Sequence, residues 1–160
     1  MTKLLLPLLS LIFLACQPNE TVYTDMAARA SGRYIVQSYV INGDTLYSNK
    51  GINKIGISEF YIIVDRKESD SVRVGSAYKK IGDAGVITHI KDLGISETNG
   101  VFQLSAGLTG PALYESKIAA DSFYERSVNG APGVVVVPIG YSFKTPNNPS
   151  QEGVIISAQK

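Results

Sequence analysis

The chain of 160 residues has one cysteine, one histidine and no tryptophan. A lone cysteine has no partner for an intramolecular disulfide. A zinc or non-haem iron site draws on several histidine, cysteine or carboxylate ligands, and one histidine with one cysteine does not supply that set. Charge is sparse as well. Charged residues make up 18%, the net charge is +1 and no block of one sign occurs. That removes the broad basic face that neutralises phosphates, and with it a nucleic-acid partner. There is no G-x-S-x-G elbow and no glycine loop followed by the lysine of a phosphate-binding motif. Serine hydrolysis and nucleotide hydrolysis therefore lack sequence support.

Long apolar runs are also missing, with one short exception at the start. Lys3 precedes Leu4 to Ala15, a segment broken only by Pro7 and Ser10, and the polar run QPNE follows Cys16. It holds about a dozen residues where a spanning helix needs roughly 20. A positive start, a short apolar stretch and a small residue before the break form the layout of a secretory signal peptide over 1–15.

Phe13, Leu14, Ala15 and Cys16 resemble the lipobox of bacterial lipoproteins. The resemblance implies cleavage before Cys16, lipidation of its sulfur and acylation of the new amine. Two or more acyl chains give stable membrane anchoring where one gives only marginal binding. Gln17 follows in place of the aspartate that tends to mean retention at the inner membrane, which implies a cell-envelope location at the outer membrane. The plainer alternatives are a buried thiol in a helix core, or an ordinary signal cut elsewhere.

Beyond the signal, about 145 residues suit one domain with its own core. The expected organisation is a lipidated cysteine, tether and short helix over 16–31, then a β domain over 32–160. TDMAARASG has a cap at Thr24, an acid at Asp25, helix formers to Ala30 and a stop at Gly32. From there the period is two. RYIVQSYVI (33–41) runs into Asn42-Gly43, a type I′ hairpin signal, and TLYS (45–48) returns from it. SEFYIIVD (58–65), SVRVGSAYKK (71–80), VITHIK (86–91), GVFQLS (100–105), ALYESKI (112–118) and DSFYERS (121–127) continue the series. GVVVVPIGYSFK (133–144) reads as a strand buried on both faces up to Pro138, and GVIISAQ (153–159) as the closing strand. About eight to ten short strands predict an all-β antiparallel barrel or barrel-like sandwich.

Gly32-Arg33-Tyr34 at the head of the first strand resembles the start of lipocalin-type barrels, with tyrosine where their signature has tryptophan. The stretch ASGRYIVQSYVINGDTLY is also similar to small lipocalin-like lipoproteins of Bacteroidota-type bacteria. The resemblance implies that Gly32 lets the chain enter the barrel and that Tyr34 plugs its closed end. It also implies an arginine stacked on that aromatic, for which Arg126 is the candidate.

Alternation puts Phe60, Ile62 and Val64 on one face, and Val72, Val74 and Tyr78 on one face of the next strand. With Tyr34 and Val36 these are the candidate ligand-lining residues. An eight-stranded barrel has an interior that side chains fill or that holds one small ligand. One reading is thus a membrane-tethered module that binds a small apolar or amphipathic ligand. The other is a structural lipoprotein with a filled core, meeting an envelope protein partner through an exposed face. Glu59, Asp65, Glu115 and Glu125 all fall on expected strands, but Glu59 and Asp65 share a solvent face, which does not suit a carboxylate pair acting on a glycoside. His89 reads as a surface or rim residue. No catalytic set and no cofactor are expected.

Overall fold

The structure is a computed structural model that describes residues 22–106, 114–127 and 153–160. The signal segment, Cys16, the turn at 129–133, the strand expected at 133–144 and the first two residues of the one at 112–118 lie outside the described residues.

Helix α1 (Met26–Ala30) comes first. Its cap is Asp25, one residue later than the sequence suggested: the carboxylate accepts from the Ala28 N–H at 3.0 Å and from Arg66 Nε at 2.9 Å. Ser31 ends the helix by donating both its N–H and its hydroxyl back to carbonyls of the last turn. Ala27 and Ala30 are fully buried, because only small side chains let so short a helix lie flat on the sheet.

Ten strands follow among the described residues: β1 (Gly32–Ile41), β2 (Asp44–Ser48), β3 (Ile52–Asn53), β4 (Ile57–Glu68), β5 (Ser71–Lys80), β6 (Ile87–Thr98), β7 (Val101–Ser105), β8 (Tyr114–Ala119), β9 (Ser122–Ser127) and β10 (Val154–Gln159). Every pairing is antiparallel, in the order β10-β9-β8-β7-β6-β5-β4-β1, and β10 pairs back onto β1. That last ladder closes an eight-stranded barrel. Of the two architectures the sequence allowed, the closed barrel is the one formed, and closure leaves no edge between β1 and β10. The β2–β3 hairpin is an appendage on the far half of β1, beyond the residues that pair with β4.

The turns explain the register. Asn42 and Gly43 both adopt positive φ, 53° and 80°, as the hairpin signal required. Asn99 and Gly100, at 52° and 77°, make the same turn between β6 and β7. A bulge in β1, seen as a register shift between Val36 and Ser38, changes which side chains point inward. Tyr34 and Val36 are buried before it, Tyr39 and Ile41 after it. A simple alternation read through the whole strand would put half of it on the wrong face.

The hairpins β4–β5, β6–β7 and β8–β9 turn at the end where α1 lies. The other end carries the β1–β2 turn and the connection from β5 to β6. One apolar cluster lines the described interior, drawing on α1 and on every barrel strand.

Candidate functional site: the barrel interior

Tyr34 donates its hydroxyl to the Ala30 carbonyl at 2.7 Å, and its ring lies 6.1 Å from that of Phe123 on β9. Burial, assisted by the Asp121 carboxylate, pushes the Tyr34 hydroxyl up to about 12. Arg29 pairs with Glu97 on β6 and lies over the Phe102 ring at 5.2 Å, while Arg66 holds Asp25 and lies 3.8 Å from the Tyr23 ring. These contacts fasten α1 to β4, β6 and β7. Tyr34 is thus buried at the α1 end of the barrel and tied to the last turn of the helix.

The cation on that ring is not Arg126, which is exposed on β9. Lys160 takes the place, with Nζ 5.4 Å from the Tyr34 ring centre. Arg126 follows the buried Glu125 in a strand of strict alternation, so its side chain points outward.

Nearer the other end, aromatic rings run across five strands. Phe60 on β4 meets Tyr39 on β1 edge-on at 5.7 Å, Tyr47 on β2 at 5.7 Å and Tyr78 on β5 at 6.4 Å. Tyr78 in turn stacks on His89 of β6 at 6.3 Å and 21°. Burial holds the Tyr39 and Tyr78 hydroxyls above their ordinary value. His89 itself is exposed. Such ring pairs are worth about 0.5–1.5 kcal/mol each beyond their buried area.

Polar groups also face inward. Ser76, Ser116, Glu125 and Ser127 are all 1–2% exposed. Ser127 accepts the Val154 N–H at 3.1 Å. Ser116 and Glu125 are direct cross-strand partners, and Ser76 sits between Ile62 and His89 in the β4–β5–β6 register. Half-buried Lys91 shares the inward face of β6.

All eight residues singled out as lining candidates, Tyr34, Val36, Phe60, Ile62, Val64, Val72, Val74 and Tyr78, are buried in the one interior cluster. The sequence reading passed over Ser76, and it named Glu125 as a strand carboxylate without placing it inside, although the signal was present. Ser76 has the parity of Val74 and Tyr78, and Glu125 that of Phe123. Polar identity masked the alternation. Glu59 and Asp65 are exposed on the outer face of β4, as expected, with Glu59 3.8 Å from Arg33. Among the described residues no three histidine, cysteine or acidic side chains group as metal ligands would.

The fold and its interior define a closed, eight-stranded antiparallel β-barrel with a short helix packed at one end. Compared with known proteins, the chain matches no family model, no curated protein and no solved structure.

Proposed function

We propose that this protein is a lipid-anchored lipoprotein of the bacterial cell envelope whose lipocalin-like barrel binds a small apolar or amphipathic molecule. The anchor reading rests on Lys3, the apolar run to Ala15 and Cys16, with Gln17 favouring the outer membrane. The ligand reading rests on one gradient. Along the inward face of β6, Ile87 is 38% exposed and His89 is exposed, Lys91 is half-buried, and Leu93 and Ile95 are 3% and 6% exposed. An inner wall that passes from wet to dry along one strand is what the mouth of a binding barrel presents. α1 packs at the opposite end, so a guest would enter at the β5–β6 end.

A second reading draws on the same end. Ile81, Val86 and Ile90 are 68%, 45% and 60% exposed, and clustered exposed apolar side chains mark interaction surfaces. In that reading the interior is solid and a partner protein covers this rim.

Native mass spectrometry of the full chain, released from detergent after expression in a bacterial envelope and paired with organic extraction, separates the two. A stoichiometric small molecule is expected. A clean apo mass that persists after incubation with envelope lipids would overturn the ligand reading. The same spectrum checks the anchor, since loss of residues 1–15 with added acyl mass is expected, and an unmodified Cys16 would overturn it.

A further inference from the structure

Two buried serine hydroxyls in the barrel stand without a hydrogen-bond partner among the described residues. Ser76 on β5 and Ser116 on β8 are 1% and 2% exposed, and neither Oγ has a hydrogen-bond partner among the described residues. Folded proteins leave few such groups, because burying a hydroxyl without replacing its water bonds is unfavourable. Both lie on the inward faces of their strands. Ser76 lies in the inward row of Val72, Val74 and Tyr78, and Ser116 shares its face with Ile118 and stands across from Glu125.

Their placement on the ring is informative. In the order β1-β4-β5-β6-β7-β8-β9-β10, β5 and β9 are four steps apart in either direction, so β5 faces the β8–β9 wall. The hydroxyls therefore approach the lumen from opposing sides. Towards α1 the lining is apolar: Tyr34, Val64, Val72, Phe102, Ile118 and Phe123.

We infer that Ser76 and Ser116 form a head-group subsite, taking the neutral hydroxyl or amide of an amphipathic ligand whose apolar chain points to the α1 end. The inference rests on the ligand-binding reading and specifies its chemistry. A neutral head fits the two serine hydroxyls because each of them is neutral and both donates and accepts. The charged inward groups stand on different walls with opposite sign, Glu125 on β9 and Lys91 on β6, and each already has an interaction of its own.

The test uses the full chain in amphipol and displacement of the dye N-phenyl-1-naphthylamine by two chain-matched probes, monododecanoylglycerol and dodecane. In the wild type the glycerol ester is expected to bind about tenfold tighter than the hydrocarbon, the equivalent of two modest hydrogen bonds. In Ser76→Ala/Ser116→Ala that preference should fall to within about twofold, with dodecane affinity unchanged and the thermal midpoint unchanged or raised. If both probes bind equally to the wild type, the subsite is overturned while the binding barrel stands. If neither the dye nor a probe binds, both readings fail. A lowered midpoint with the preference intact would mean that the hydroxyls are satisfied within the fold, by water, and would also overturn the subsite. Should the double variant not fold, Ser76→Cys and Ser116→Cys, close in shape but weak in hydrogen bonding, are read in the same way.

Discussion

Lys160 lies against Gly32, and its ammonium stands 5.4 Å from the centre of the Tyr34 ring. The three atoms nearest to a Cβ placed on Gly32 all belong to the Lys160 side chain: Cε, Nζ and Cδ. Gly32 also has φ +156°, a region that residues with a Cβ seldom enter. The glycine thus serves both a backbone conformation and the seat of a cation over that ring. Gly32→Ala is expected to destabilise by about 1–3 kcal/mol. In a Lys160→Ala background part of that cost should vanish, with a coupling of about 0.5 kcal/mol or more in urea denaturation. Strict additivity would mean that the lysine does not constrain the site.

Tyr34→Phe keeps the ring on Phe123 and removes the bond to Ala30, for an expected loss of about 0.5–1.5 kcal/mol. It should also change the alkaline limb of stability. The hydroxyl titrates at about 12 when folded against 10.0 ordinarily, so the unfolded chain loses the proton first. Its contribution is therefore intact below pH 10 and fades as pH rises towards about 12. Denaturant midpoints measured from pH 9 to 12 should fall less steeply in Tyr34→Phe than in the wild type.

Gly153 precedes β10 where the strands run close, and a Cβ there would stand 2.7 Å from the Ser127 carbonyl oxygen. Backbone cannot yield as a side-chain tip can. Gly153→Ala should cost about 1–3 kcal/mol. Ala120, in the β8–β9 turn at φ 49°, offers the opposite sign. Ala120→Gly is expected to stabilise by about 1 kcal/mol by relieving left-handed strain, and thermal unfolding of the two variants checks both.

Val74→Phe adds bulk at an inward position that is 1% exposed, opposite Val64 and Lys91. With a hollow interior the ring takes the guest's place, so dye and lipid uptake should be abolished while stability falls by less than about 1 kcal/mol. A loss of about 1–3 kcal/mol, the usual result of overpacking a solid core, would speak for the filled barrel and its rim partner.

What the sequence determined by itself was local. Period-two alternation placed Phe60, Ile62, Val64, Val72, Val74 and Tyr78 on inward faces, Asn42-Gly43 made its turn, and 71–80 is the strand it was read to be. These follow because a strand's two faces and a turn's φ angles depend on a few neighbouring residues. The tertiary structure decided everything that joins distant residues. The β10–β1 ladder chose barrel over sandwich, and the β1 bulge reversed its inward parity after Val36. Asp25 became the helix cap because Arg66 also reaches it, and Lys160 instead of Arg126 came to rest on Tyr34. Ser76, Ser116 and Glu125 have inward parity within their own strands, but only ring closure set those strands around one interior. No local pattern carries that information, since the partners meet only when a chain with several choices of pairing settles on the one that buries its apolar face.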